Sequence, residues 1–289
     1  MDIKMILFMM LFPALSTFKV LVQGACAKGK IHGLSQTVFF NAVIFLIAAV
    51  SMSAFFLRSM PAAETLVYSL LFAVFSIIFQ LSYVFALGTG PVGITSTFSS
   101  FSLVIPLVFT AIAYCEFPTV MNIVGIALMT FALIFAPDHS TNKKASKIWF
   151  LWITLLLISN GSLGIIQKAF AKSEYNGESD LLIIFAYIFA SSLSFILYPM
   201  VRKHGEKPPK FDKPLMIGSI IIAGVLVSFN YLWVVALQSI PVFILLPFNS
   251  CMFLVLTNIC GIVLFRERPK PIQICAVCVA AVAVVLMNI

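Results

Sequence analysis

Apolar runs follow one another along nearly the whole chain, each about as long as a helix that crosses a hydrocarbon layer. A helix rises about 1.5 Å per residue, so a bilayer core about 30 Å thick takes roughly 20 apolar residues. That window predicts ten spans: Ile3–Ala27, Thr37–Leu57, Thr65–Leu87, Val92–Tyr114, Thr119–Ala136, Ile148–Ala171, Asp180–Val201, Lys213–Leu237, Val242–Phe265 and Lys270–Met287. The connections are short and marked by glycine or proline, as at Gly88-Thr89-Gly90-Pro91, Phe117-Pro118 and Ser239-Ile240-Pro241. Only Asp138–Lys147 and Arg202–Pro214 have the polarity of true loops. The pattern predicts an all-α polytopic membrane protein with no room for a soluble domain. Ala14-Leu15-Ser16 imitates a signal-peptide cleavage site. Asp2 offsets Lys4 in the flank, however, and the repeat described below needs this helix, so it is expected to stay.

Composition narrows the class further. Of 289 residues 62% are hydrophobic and 10% charged, against about 25% charged in an ordinary soluble domain. So few charges cannot cover a water-facing surface, which excludes a soluble enzyme, a disordered chain and a secreted disulfide scaffold. The net charge of +8 is not a nucleic-acid signal, because the basic residues sit between apolar runs and not along one face. Cys26, Cys115, Cys251, Cys260, Cys275 and Cys278 mostly fall inside apolar runs and are expected to pack as small hydrophobes. Cys275 and Cys278 have no third metal ligand nearby in sequence.

The chain also repeats itself. Ala86-Leu87 with Pro91 returns as Ala236-Leu237 with Pro241, an offset of 150 residues, which also aligns Gln80 with Asn230, Tyr83 with Trp233 and Ser100 with Ser250. Gln23 with Ala27-Lys28 is echoed by Gln167 with Ala171-Lys172, and Glu116 by Glu267. The predicted organisation is a first five-helix repeat over 1–137, a linker at 138–147 and a second repeat over 148–289. Five helices is an odd number, so the second copy enters from the opposite side and the repeats are inverted. This is an architecture of secondary transporters with a midplane substrate site.

The end of each repeat carries a resemblance to a known family. Tyr114-Cys115-Glu116-Phe117-Pro118 with its Gly125-containing helix, and Phe265-Arg266-Glu267-Arg268-Pro269 with its helix, resemble the drug/metabolite transporter superfamily, most closely its EamA-like family. The second copy departs from the pattern at Arg266, where a small residue is expected, and at Ala276, opposite Gly125. The resemblance implies a small-molecule carrier whose first, third, fourth, sixth, eighth and ninth helices line the pathway. It also implies both termini in the cytoplasm.

The candidate chemistry is sparse. All ten acidic residues and His32, His139 and His204 fall at or near helix ends or in loops, so no acid–base set or metal cluster is predicted at depth. Catalysis and a bound cofactor or metal are not expected. Glu116 and Glu267 fit helix N-terminal caps better than gates. Small multidrug exporters of the resembled superfamily use a glutamate in the first helix. Here the ionisable residue of that helix is Lys19, eight residues or about 12 Å from Ala27. It either contacts a carboxylate or phosphate of the substrate or snorkels toward Lys28. Gln80 and Tyr83 share a face of the third span. Ser99 and Ser100, from a serine-rich run before Pro106, join them, as do Asn160, Gln167, Asn230, Trp233 and Asn249. Such groups bond across helices or line a wet cavity.

Together these features predict an alternating-access carrier in the cytoplasmic membrane that moves a small metabolite, amino-acid-like or otherwise anionic. The predicted partners are the substrate, the lipid bilayer and a proton or counter-solute, with no nucleic acid. A broad drug exporter, a channel and a membrane-embedded non-transport protein are the alternatives. The odd-numbered loops hold most of the lysines and arginines, so the positive-inside rule places them in the cytoplasm and both termini outside, opposite to the family habit. A fluorescent reporter fused to the C-terminus is therefore expected to stay dark, and cytoplasmic fluorescence would reverse the assignment.

Overall fold

A computed structural model describes residues 3–27, 33–57, 59–89, 102–135, 147–202 and 212–265, with scattered positions from 271 to 286. Among the described residues there are nine α-helices and no strand. They are α1 (Ile3–Ala27), α2 (Gly33–Phe56), α3 (Ala63–Thr89), α4 (Val104–Tyr114), α5 (Val120–Phe135), α6 (Lys147–Lys172), α7 (Ser179–Val201), α8 (Lys213–Ser239) and α9 (Val242–Phe265), with a 3-10 turn at Asn176–Glu178. Five stretches are long and apolar enough to cross a membrane: Gly33–Phe56, Ala63–Tyr83, Ile148–Lys172, Asn176–Val201 and Lys213–Ser239. The predicted span Val92–Tyr114 is described only in its second half, as α4. The predicted span Lys270–Met287 is described only at scattered positions.

Side chains facing outward confirm what solvent these helices meet. Leu7, Phe55, Met60, Ile112 and Met200 are all exposed, and exposed apolar residues recur on α1 to α8. In water such coverage would drive aggregation, whereas lipid tails accommodate it. Several hydroxyls within the helices turn inward on their own backbone. Thr37 donates to the Gly33 carbonyl at 2.8 Å, Ser69 to Thr65 at 2.7 Å, Ser159 to Leu155 at 2.6 Å and Ser219 to Leu215 at 2.8 Å. Each bond removes a polar group from contact with hydrocarbon.

Packing divides the chain into two units, each drawing on both predicted repeats. The first comprises Phe18–Phe85 and Ile166–Gln238. Its core is built on Phe40, Ile44, Phe45, Ala48, Ala49 and Met52 of α2, spaced so that one helical face is continuous. Against it lie Leu181–Ile184, Tyr187 and Ala190 of α7, Ala73 and Ile77 of α3, and Ile222, Ala223 and Leu226 of α8. Small residues let α2 and α7 approach until Ser191 donates to the Ala42 carbonyl at 3.1 Å, while Phe45 stacks on Tyr187 at 5.9 Å.

One end of this unit is tied by polar contacts. The Glu178 carboxylate accepts the Ala62 N–H at 3.0 Å and the Thr65 hydroxyl at 2.6 Å, so an acid just ahead of α7 caps the start of α3. Gln238, near the end of α8, donates to the Asn176 carbonyl at 2.8 Å and to the Ser179 hydroxyl at 3.1 Å. The Tyr175 hydroxyl donates to Glu64. That carboxylate above all, with partial burial and then Glu174 and Glu178, holds the phenol above its ordinary pKa of 10.0.

The second unit comprises Met1–Thr17, Ala86–Ile165 and Ser239–Ile289. Here α6 meets α4 through glycine. A Cβ at Gly161 would stand 2.5 Å from the Ile105 side chain, and one at Gly164 would stand 2.9 Å from the Pro106 ring. Pro106 lies in the first turn of α4, where a missing N–H is tolerated, and the Ser102 carbonyl accepts the Ile105 N–H at 3.2 Å. α4 ends at Cys115, whose φ of 51° and ψ of 28° place it in the left-handed region. The expected cap roles meet different fates: Glu116 is half-buried between α4 and α5, and Glu267 lies outside the described residues.

Replacing Glu178 by alanine is expected to lower the thermal midpoint in detergent, at a cost of about 1–3 kcal/mol, because two donors lose their acceptor. Glu178→Gln keeps an amide oxygen there and is expected to lose less. Equal midpoints for wild type and Glu178→Ala would show that the cap is idle.

Candidate functional site

The candidate residues separate into three groups once their helices are placed. In the first unit, α1 and α3 bring Lys19, Gln80 and Tyr83 to similar depths. Lys19 is about 12 Å from Ala27 and Gln80 about 13.5 Å from Thr89, by helix rise. All three side chains are half-buried. Neither Lys19 nor Gln80 makes a hydrogen bond or ion pair with the described residues, while the Tyr83 ring packs on Phe79 at 6.0 Å. Ser82, between them, is buried with an unpartnered hydroxyl among the described residues. A lysine so placed is a costly group for hydrocarbon and a good one for an anion.

The second group lies in the same unit and is closed on itself. The Gln167 amide donates to Asn230 Oδ1 at 3.1 Å. Asn230 Nδ2 in turn donates to the Tyr187 hydroxyl at 2.9 Å and to the Leu226 carbonyl at 3.0 Å. Tyr187 also donates to that carbonyl, at 3.1 Å. Both hydrogens of the Asn230 amide are thus used, and its oxygen has a donor. These contacts tie α6, α7 and α8 together in the manner of interhelical glue. Trp233, one turn from Asn230, is buried and stacked on Phe229 at 5.2 Å with 15° between the rings.

The third group belongs to the second unit. Asn160 Nδ2 donates to the Ser102 hydroxyl at 2.5 Å, beside the close approach of Gly161 to Ile105. Asn249, two residues after Pro247 in α9, keeps a buried Oδ1 without a partner among the described residues. Ser99 and Ser100 lie outside the described residues.

Two residues outside the predicted set belong in this account. Tyr187 completes the Asn230 contacts, and its sequence signal was a tyrosine about 12 Å inside a span instead of at an interface. Lys168, which the sequence leaves borderline between span and loop, is 2% exposed inside α6. Among the described residues no group of three or more His, Cys, Asp or Glu is placed to hold a metal ion.

The sequence model of the EamA-like transporter family matches residues 147–289. The chain is thus similar, over just under half of its length, to a family of membrane transporters of small molecules. Its many apolar helices accordingly make it a multi-pass membrane protein. Twenty-nine solved chains match the structure. One of them, a crystal structure of 11% sequence identity, matches over 98% of each chain with a TM-score of 0.72, a likeness of fold. No curated protein matches in sequence.

A double-mutant cycle on Gln167→Leu and Asn230→Leu, read by thermal unfolding in detergent, is expected to give a coupling of about 0.6–2 kcal/mol. A coupling near zero would leave the two amides energetically independent and return them to the list of substrate contacts.

Proposed function

We propose that the chain is a secondary carrier that works by alternating access and moves a small anionic or amino-acid-like metabolite across the cytoplasmic membrane. In this reading residues 1–137 and 148–289 are inverted five-helix repeats joined at 138–147, and ten helices span the bilayer. The observation that carries the substrate class is Lys19. It is a half-buried lysine well inside an apolar helix, at a depth similar to Gln80, with no carboxylate partner among the described residues. A carboxylate or phosphate of the solute supplies the missing countercharge. Gln80 and Tyr83 offer an amide and a phenol at comparable depth in the same unit, while Asn160 and Asn249 of the second unit, and Ser99 and Ser100 outside the described residues, remain candidate contacts on sequence grounds. Gln167, Asn230 and Trp233 then form the supporting wall, since their polar atoms and ring faces are largely occupied within their own unit.

Two features support carriage over catalysis. The match of residues 147–289 to a transporter family supports the class, and the residues singled out in the spans are amides, hydroxyls and lysine, not an acid–base pair. The sequence holds no nucleotide-binding motif, so uphill movement draws on a proton or on an exchanged solute. The aromatic pairs Phe79–Tyr83 and Phe229–Trp233 also suit a lipophilic substrate, which makes broad drug export the competing reading.

The test begins with purified protein screened by thermal shift against amino acids, carboxylates, phosphate esters and lipophilic cations. A solute at one hundred times its Kd stabilises by about 2.7 kcal/mol. Hits are expected among anions and zwitterions, followed by saturable counterflow in liposomes, which a channel does not show. Lys19→Ala is expected to reduce anionic-solute transport at least tenfold at unchanged protein level. Full activity in that variant, or hits confined to cations, would reject the substrate class.

A further inference from the structure

Asn41 lies at the centre of the buried face of α2, with Val38, Ala42, Ile44, Phe45 and Ala48 buried around it. It is 7% exposed, and its amide makes no hydrogen bond with the described residues. A buried amide without a partner costs stability, whereas a leucine in its place would carry no such penalty. Polar groups close by are satisfied: Ser191 reaches the Ala42 carbonyl and Tyr187 the Leu226 carbonyl. Asn41 therefore does not serve as glue between helices in the way that Asn230 does.

Its level in the unit is that of Lys19 and Gln80. Five residues join α1 to α2 and six join α2 to α3, too few to run back along a helix. The three helices thus alternate in direction, and Ala27, Gly33 and Thr89 lie toward one face. Asn41 is eight residues, about 12 Å, from Gly33, which is the depth of Lys19 and within about 1.5 Å of that of Gln80. Each helix turns this level to one core. Val22, three residues from Lys19, packs against that core, while Ile44, three from Asn41, and Ile77, three from Gln80, belong to it. All of these residues lie in the unit formed by Phe18–Phe85 and Ile166–Gln238.

We propose, on the carrier reading above, that Asn41 is a third contact of the solute site and selects a monoanion with an uncharged hydrogen-bonding group, a hydroxycarboxylate. The balance of charge supports this class. Lys19 as an ammonium neutralises one carboxylate, and all ten acidic residues fall at or near helix ends or in loops, away from this level. A zwitterion would leave its own ammonium uncompensated there and a dianion its second charge, each costly away from water. A hydroxyl adds no charge. Asn41 and Gln80 can meet it and the carboxylate with an acceptor oxygen and two N–H donors apiece. The family resemblance implies a pathway without α2, so Asn41 is an addition to that pathway.

The test is counterflow into liposomes carrying the full chain, with lactate, glycerate and gluconate as hydroxycarboxylates and propionate, hexanoate, alanine and phosphoglycerate beside them. Wild type is expected to exchange at least one hydroxycarboxylate about tenfold faster than any of the other four. Asn41→Leu is expected to lower that rate about tenfold, the effect of a lost hydrogen bond, and so to erase the preference. Because the variant removes an unpaired amide from apolar surroundings, its thermal midpoint in detergent is expected to equal or exceed that of wild type. A lower midpoint or loss of folded protein would make Asn41 a structural residue and overturn the proposal. So would an unchanged preference in Asn41→Leu, faster exchange of alanine or phosphoglycerate, or no exchange of any hydroxycarboxylate. Lys19→Ala, measured alongside, tests the reading beneath: loss of all carboxylate exchange there leaves the carrier reading standing even where Asn41 fails.

Discussion

Hydrocarbon offers no hydrogen bonds, and that deficit organises the molecule. Every backbone group must find its partner within a helix, and each polar side chain in a span must bond to a neighbour, reach the interface or face a watered interior. Thr37, Ser69, Ser159 and Ser219 take the first course, folding their hydroxyls back on carbonyls a turn earlier. Gln167, Asn230 and Tyr187 use a neighbouring helix, so the same requirement that forbids loose polar groups also joins α6, α7 and α8. Lys19 and Gln80 stand apart from both solutions among the described residues, which is why they carry the functional argument.

Packing obeys a second consequence of the same solvent. Lipid tails are as apolar as leucine, so burying more leucine adds little attraction between helices. Close approach supplies it instead. The alanines and serines along α2 and α7 allow a side chain of one helix to reach the backbone of the other. Gly161 and Gly164 do the same for α6 against α4, to the point where a methyl group would collide with Ile105 or Pro106. Bulky residues are left to fill what remains, as with Phe45 on Tyr187 and Tyr68 on Phe170.

Much of this was legible in the chain before any coordinates. Long apolar runs placed α1, α6, α7, α8 and α9 to within about two residues, because one solvent imposes one length. α2 began four residues earlier than its run, since Gly33 and Ser35 are polar enough to look like loop yet are helical. Side-chain partners were much less legible. Nothing in a hydrophobicity pattern tells whether Asn230 meets Gln167 or a solute, because both need the same amide. Lys168 shows the same blindness: its place four residues from the end of α6 leaves it borderline in the sequence, and only the packing around α6 buries it. Family likeness was readable from the short motifs at the ends of the repeats, although the family model itself matches only from residue 147 onward.

The two packing units cut across the order in which the chain is made. The core around Phe40, Ile44 and Phe45 is completed by Leu181–Ile184 and Ile222, more than 130 residues later in synthesis. The first helices therefore enter the bilayer with a face that has no permanent neighbour, and they must wait there until the second half arrives. Contacts so distant in sequence make assembly slow and leave a long interval in which half-made chains are open to quality control. The small-residue face of α2 is the part most in need of shelter during that interval. The rate at which this protein reaches maturity is thus governed by the arrival of α7, whatever the strength of the contacts it then makes.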